Sequence, residues 1–291
     1  MKGINPIVHA FSLDIEDWYQ SSFDFNAPVN EVCVHNTRLV LDFLLQYNVK
    51  GTFFIQGLVA KAFPYLVKEV HSRGHEVQSH GYSHRPINNM TPGEFKEELE
   101  ETGKRLEDIT GEPVTGFRAP DFSIDKESFW AFEVMYECGI RYDSSIFPLK
   151  TSRYGIAGFT RGYSIIKTLA GEIEELPVSV LDMTWFCGFR VPVGGGGYFR
   201  LFPSWFLNYG LRKLGSQGEP FIIYCHPYDF NPREWQRILK RVPWHRRLHQ
   251  GLGRRRFQEK VAELLKRGTF GSMSEVLQRI HEETSQDKTS S

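Results

Sequence analysis

The 291-residue chain is 41% hydrophobic and 14% aromatic, enough to bury a substantial core in one large domain or two small ones. Lys+Arg and Asp+Glu both number 35, so the formal charge is zero and nothing in the composition points to nucleic acid as a partner. The four cysteines, Cys33, Cys138, Cys187 and Cys225, have the spacing of neither a disulfide framework nor a thiolate zinc site. The opening MKGINPIVHAFSLD lacks the apolar core of a signal peptide and no later stretch could span a bilayer, so a cytoplasmic protein is expected.

In chain order, IVHAFSLDI (7–15) predicts a buried strand that ends in acids, TRLVLDFLLQY (37–47) a helix, and GTFFI (51–55) a strand. FPYLVKEVHSRG (63–74) predicts a helix stopped by glycine, followed by the strand HEVQSH (75–80). TPGEFKEELEETGKRLEDITG (91–111) opens with a capping box, Thr91 three residues before Glu94, and with Pro92 at the first helical position. VTGFRAP (114–120) predicts a strand, KESFWAFEVMYECG (126–139) a helix and IRYDSSI (140–146) a strand. This strict alternation argues for a parallel sheet with right-handed crossovers. The regularity then breaks. Residues 164–180 predict a β-hairpin turning at Ala170-Gly171, VGGGGYF (193–199) a flexible loop beside a groove, SWFLNYGLRKLG (204–215) a helix and PFIIYCH (220–226) a last strand. The expected fold is α/β, a distorted (β/α) barrel of about seven strands with a β-hairpin insertion and C-terminal helices. One domain is expected over residues 1–284, with a polar, disordered tail over 285–291.

Function in a parallel barrel gathers at the carboxyl ends of the strands. Those ends carry Asp14-Ile15-Glu16-Asp17, His80 and His84, Arg118-Ala119-Pro120-Asp121, Asp143-Ser144 and His226. Singly, each reads as a cap, a surface ion pair or a satisfied histidine. Jointly they are what a metal hydrolase needs. Histidines four apart can reach one cation from a single helical turn, and two imidazoles with one carboxylate leave coordination positions open for catalysis. A second carboxylate, oriented by an arginine, can take the proton of a water, and a further histidine can protonate a leaving amine.

As an ordered set, FSLDIED, GTFFIQG, SHGYSHR, FRAP, YDSS and IIYCHP resemble the motifs of the polysaccharide deacetylases, carbohydrate esterase family four with its NodB homology domain. The resemblance implies hydrolysis of an N-acetyl group on an amino sugar of a glycan. It implies one divalent metal, zinc first and cobalt, nickel or manganese after it, held by His80 and His84. It makes Asp14 the general base, His226 the general acid and Arg118 the partner that orients Asp14, and it places Asp143, Pro120 and Tyr224 at the substrate pocket. Where the family has two adjacent aspartates, this chain has Asp14, Ile15, Glu16 and Asp17. Residues two apart on a strand share a face, so Glu16 is the expected third ligand, with Asp17 its rival. Asp121 replaces the usual tyrosine and Tyr224 the usual leucine. The DIEDWY and PVGGGGYFR segments resemble the branch associated with exopolysaccharide and exosortase gene clusters. Two alternatives stand beside this reading: an allantoinase-like amidohydrolase of cyclic amides, and a degenerate glycan-binding relative.

Residues 233–267 hold twelve Lys/Arg against three Asp/Glu, a local net of +9. A solvated helical face accounts for this, and contact with an anionic glycan or a membrane surface is the functional alternative. Homo-oligomerisation stays open.

Overall fold

The computed structural model describes residues 7–151, 153–184, 188–234, 242–244 and 251–289, so Cys187 and residues 235–241 and 245–250 of the basic segment lie outside it. The strands are β1 Val8–Ile15, β2 Thr52–Ile55, β3 Glu76–Ser79, β4 Gly116–Phe117, β5 Tyr142–Asp143, β6 Ser164–Lys167, β7 Glu172–Glu175, β8 Val180–Asp182, β9 Arg190–Pro192, β10 Ile222–Cys225 and β11 Thr269–Gly271. The main sheet runs β10-β1-β2-β3-β4-β5-β7-β6, with β11 also beside β1, while β8 and β9 pair as a separate ribbon. Every pairing from β10 to β7 is parallel. The hairpin expected at Ala170-Gly171 is present, with Lys167 opposite Glu172. All eight residues of β1 are buried, as befits a parallel strand covered on both faces.

The expected capping box is formed. Thr91 Oγ1 accepts from the Glu94 amide at 3.3 Å, and the Glu94 carboxylate accepts from the Thr91 amide at 2.8 Å. The helix that follows, Pro92–Thr110, buries Phe95, Leu99 and Leu106 against the sheet. The short helices Trp18–Ser22 and Gly57–Ala62 and the strand β11 have no counterpart in the sequence reading. The last helix, Met273–Thr289, puts Met273, Val276 and Leu277 into an apolar cluster with Val8, Ala10, Phe54 and Ile222, across the amino ends of the strands. It runs on through 285–289, where a tail was expected; no glycine or proline interrupts it. Cys33, Cys138 and Cys225 are free thiols. Among the described residues, no helix is long and apolar enough to cross a membrane.

The curled sheet does not close through a continuous ladder. Beyond β7, the Leu176 amide still donates to the Asp143 carbonyl at 2.9 Å. Three residues later Ser179 reaches β10, its amide donating to the Ile222 carbonyl at 3.3 Å and its hydroxyl accepting from the Ile222 amide at 2.8 Å. The Ser179 carbonyl accepts from the Val193 and Gly194 amides at 3.0 and 2.9 Å, and the Tyr224 amide donates to the Gly194 carbonyl at 2.8 Å. The glycine run lies inside this seam, which corrects the expectation of a flexible loop. A Cβ at Gly194 would stand 2.3 Å from the Ile222 carbonyl oxygen, and one at Gly195 would stand 2.5 Å from the Tyr224 ring. The helix Gly196–Leu201 then starts within the run.

The seam sets the cost of changes along it. Gly194→Ala is expected to lower stability by about 1–3 kcal/mol, because two of the three atoms its Cβ would press, the Ile222 carbonyl oxygen and the Ser179 amide nitrogen, are backbone and cannot move aside. Gly197→Ala, whose Cβ would meet nothing nearer than the Arg200 tip at 3.8 Å, is expected to be tolerated. Thermal melts of the two variants check this, and equal melting temperatures would contradict it.

Candidate functional site

Parallel pairing brings the carboxyl ends of β1, β3, β4, β5 and β10 to one mouth, where a cleft of about 700 Å³ opens. Beneath it lies Arg118, just beyond β4 and fully buried. Its Nη1 donates to Asp14 Oδ1 at 2.9 Å, its Nη2 to the Ser144 hydroxyl at 2.9 Å and its Nε to the Ser144 carbonyl at 3.2 Å. The guanidinium also sits 4.3 Å from the centroid of the Phe54 ring. One cation thus ties together the carboxyl ends of β1, β4 and β5.

His80 and His84 lie on a loop after β3, not on the helical turn that their spacing suggests. Gly81 and His84 both take left-handed backbone, at φ 70° and 67°. Glycine does so freely, and histidine is among the few other residues that visit this region. Glu98 holds the loop from outside, accepting from the Tyr82 and Ser83 amides at 3.0 and 3.2 Å and from the Ser83 hydroxyl. The Gly57 and Leu58 amides donate to the carbonyls of Gly81 and Tyr82 at 2.9 and 3.1 Å. His80 Nδ1 lies 2.8 Å from the Arg118 carbonyl, which turns Nε2 towards Glu16.

Glu16 is the centre of the group. Its carboxylate touches His84 Nε2, lies 3.7 Å from His80 Nε2, and accepts from the Tyr228 hydroxyl at 3.2 Å. Ligand atoms of Glu16, His80 and His84 fall within 4.8 Å of one another, and all three side chains are buried. Among the described residues this is the one such group, and two imidazoles with a carboxylate are a donor set that suits a divalent ion. Burial alone would raise the Glu16 carboxyl, but His84, with His80 and His226, holds it well below the usual range. Burial likewise opposes a charge on His84, and the Glu16 carboxylate outweighs it, lifting the imidazole to about 9. Asp17 is occupied elsewhere. It caps the helix Trp18–Ser22, accepting from the amides of Tyr19, Gln20 and Asn30, each at 2.9 Å.

His226 follows β10 and enters from the other side, its Nε2 3.8 Å from Glu16 Oε1. Its ring stacks on Tyr228 with centroids 4.6 Å apart and 10° between planes. Its amide donates to Asp229 Oδ2 at 3.1 Å. Burial would raise the Asp229 carboxyl, yet Arg200, His226 and Arg254 together bring it down to about 2. Tyr228, Asp229 and Arg200 all line the cleft and were not singled out from the sequence; the His-x-x-Asp spacing of HPYD was the available signal. Tyr224 forms part of the wall, edge-on to Phe122 at 4.7 Å.

Two of the expected pocket residues do not reach the cleft. Pro120 is buried and only turns the chain, so that Asp121 and Phe122, at φ 54° and 51°, form the wall instead. Asp143 is fully buried behind it. It accepts from the Ser145 amide and hydroxyl at 2.8 and 2.6 Å, and that hydroxyl accepts from the Ala119 amide at 2.7 Å. Asp143 also pairs in register with Glu175. Burial, then the neighbouring Asp143, pushes the Glu175 carboxyl well above its ordinary value.

Residues 21–142 match the family model described as polysaccharide deacetylase, and residues 144–278 match one described as a domain of unknown function, DUF3473. A peptidoglycan-N-acetylglucosamine deacetylase of Bacillus cereus is 34% identical over 98 residues, 33% of this chain and 36% of that protein. Chitin deacetylase 1 of Cryptococcus neoformans is 33% identical over 89 residues, 31% of this chain and 19% of that protein. The chain spans well under half the length of these curated relatives. Among solved structures, a Mycobacterium smegmatis protein assigned to the polysaccharide deacetylases superposes with a TM-score of 0.66 at 18% identity, covering 98% of this chain and 93% of that one. PuuE allantoinase superposes with 0.59 at 16% identity, covering 97% and 92%. At such identities the likeness establishes the fold.

The raised Glu175 carboxyl gives a pH test. Its folded pKa lies above the unfolded value of 4.5, so its contribution to stability is full below that value and is lost as pH rises through the folded pKa. Glu175→Gln stays neutral and can still accept from the Ile146 amide, a bond of 3.1 Å in the parent. Its melting temperature is expected to gain on the parent's as pH rises above 4.5. A gap that stays constant as pH rises would contradict the raised Glu175 pKa.

Proposed function

The chain carries a polysaccharide deacetylase domain in residues 21–142, and from that premise we propose a metal-dependent hydrolase that removes N-acetyl groups from N-acetylhexosamine residues of a glycan or glycan precursor. The observation that carries the reading is the meeting, in one cleft, of the Asp14–Arg118 pair, the Glu16–His80–His84 group and His226. The relatives named as peptidoglycan and chitin deacetylases point to the same class of substrate.

Glu16, His80 and His84 would hold the ion, zinc in the first instance. The chemistry it supplies when bound is a Lewis acid that polarises a carbonyl and makes water a nucleophile at neutral pH. Asp14, anchored through Oδ1 by Arg118, takes the proton of the attacking water. His226, on the opposite side of the site, gives a proton to the departing amine as the carbon–nitrogen bond breaks, so that acetate and a free amino sugar leave. Tyr224 and Phe122 offer the aromatic wall against which the acetyl methyl packs.

An acetate-release assay across chitin oligomers, peptidoglycan fragments, nucleotide sugars and allantoin tests the reading. Acetate from one of the N-acetylated substrates is expected, and opening of allantoin without acetate would overturn the proposal. Asp14→Asn is expected to keep its metal and lose about a hundredfold or more in rate. Loss of the metal in that variant would make Asp14 a ligand instead.

Zinc titration into the metal-free variants tests the ligand set. Glu16→Gln is expected to weaken binding by about 10–100-fold or more. Asp17→Asn, which can still cap through Oδ1 and loses the Oδ2 that accepts from the Asn30 amide, is expected to leave affinity nearly intact and to cost about 1 kcal/mol of stability. The reverse ranking would make Asp17 the third ligand.

A further inference from the structure

We infer that Asp229 is the positioning residue for His226, and that Gly196 and Arg200 serve to seat its carboxylate. The inference rests on the reading above, in which His226 delivers a proton to the leaving amine. Asp229 is buried, and its Oδ2 both accepts from the His226 amide at 3.1 Å and lies 3.4 Å from the ring's Nδ1. Stacking on Tyr228 fixes the plane of the imidazole but not which edge faces the cleft. Flipping the ring within that plane would bring a carbon against the carboxylate, so Asp229 selects the orientation with Nε2 towards the reacting atoms.

The carboxylate is itself held in place. Arg200 Nε lies 3.7 Å from Oδ1. Arg254 Nη1 donates to the Tyr228 carbonyl at 2.9 Å, fixing the turn that carries Asp229. Gly196 faces the carboxylate so closely that a Cβ there would stand 2.7 Å from Oδ2. This accounts for a third glycine of the run, beyond Gly194 and Gly195 of the seam. Asp143, placed at the substrate pocket by family resemblance, makes its side-chain contacts to Ser145 and Glu175 instead. Gly196, Arg200, His226, Asp229 and Arg254 all fall within 144–278, so the segment that matches a domain of unknown function supplies the acid side of the site.

The proton balance follows. When the carbon–nitrogen bond breaks, its electron pair goes to nitrogen, which takes the proton from His226 Nε2. The proton on Nδ1 stays against Asp229, and the imidazole is recharged from solvent. A substrate whose leaving group needs no proton bypasses this step.

The test compares an N-acetylated glycan with an aryl acetate ester, whose aryloxide departs unprotonated. For Asp229→Asn, kcat on the amide is expected to fall by about tenfold or more with KM within about twofold. Ester turnover is expected to fall much less, so that the ester-to-amide ratio rises while metal content stays at the parent level. Gly196→Ala, which presses a methyl against the carboxylate without removing it, is expected to move the ratio in the same direction and keeps the test open if Asp229→Asn folds poorly. Parallel loss of amide and ester activity, or an unchanged amide rate, would overturn the assignment. A parent enzyme that releases no acetate from any N-acetylated glycan would overturn the underlying reading, and the inference with it.

Discussion

The mouth of this fold depends on a single buried cation. Arg118 has no access to solvent, and an unpaired charge in such a place would cost several kcal/mol. Its neutralisation is shared out: Asp14 takes one nitrogen, the hydroxyl and carbonyl of Ser144 take the others, and the face of Phe54 lies against the plane. Ser144 is fixed in turn, donating to the Leu176 carbonyl at 2.7 Å. The arginine's own carbonyl meets His80. The same residue therefore aligns an acid on β1 and an imidazole beyond β3, and any shift of β4 would be felt by both.

Much of this was legible in the sequence because it depends on local rules. The alternation of short apolar runs with amphipathic stretches predicts the parallel sheet, and Thr91, Pro92 and Glu94 mark the start of the long helix. The i, i+2 rule places Glu16 on the side of Asp14, and the structure brings it against both histidines. Where the reading departs from the structure, distant contacts decide. His80 and His84 have helical spacing but sit on a loop, because Glu98 and the start of a neighbouring helix satisfy its backbone in a left-handed form. The glycine run resembles a flexible loop in sequence, and only the approach of β10 shows why side chains are excluded there. Asp143 reads as a pocket residue, yet its partners, Ser145 and Glu175, lie behind the wall.

The two matched segments, 21–142 and 144–278, meet almost at β5, yet the sheet shows no division there. β5 pairs with β7 across that point, and β10, from the second segment, pairs with β1, which precedes the first. Ser179, on the chain that leaves β7, bonds to β10. The basic segment is partly absorbed into the same framework. Arg254 is buried, and Lys260 donates to the carbonyls of Phe199, Arg200 and Phe202 at 3.1, 2.8 and 2.7 Å. A positive run in the sequence is thus not wholly a positive surface.

The adjacency of β1 and β10 has a consequence for how such a site can diversify. Leu13 stands opposite Cys225 in the ladder, so one step further along Asp14 and His226 leave neighbouring strands side by side. Their backbones are kept about 4.8 Å apart by the hydrogen-bond spacing of a sheet, a length that no loop can alter. The walls formed by Asp121, Phe122, Tyr198 and Leu252 belong to turns and helices and carry no such constraint. The cleft is free to lengthen, narrow or change its polarity, while the spacing of the two strands that lead to Asp14 and His226 stays a constant of the β-ladder.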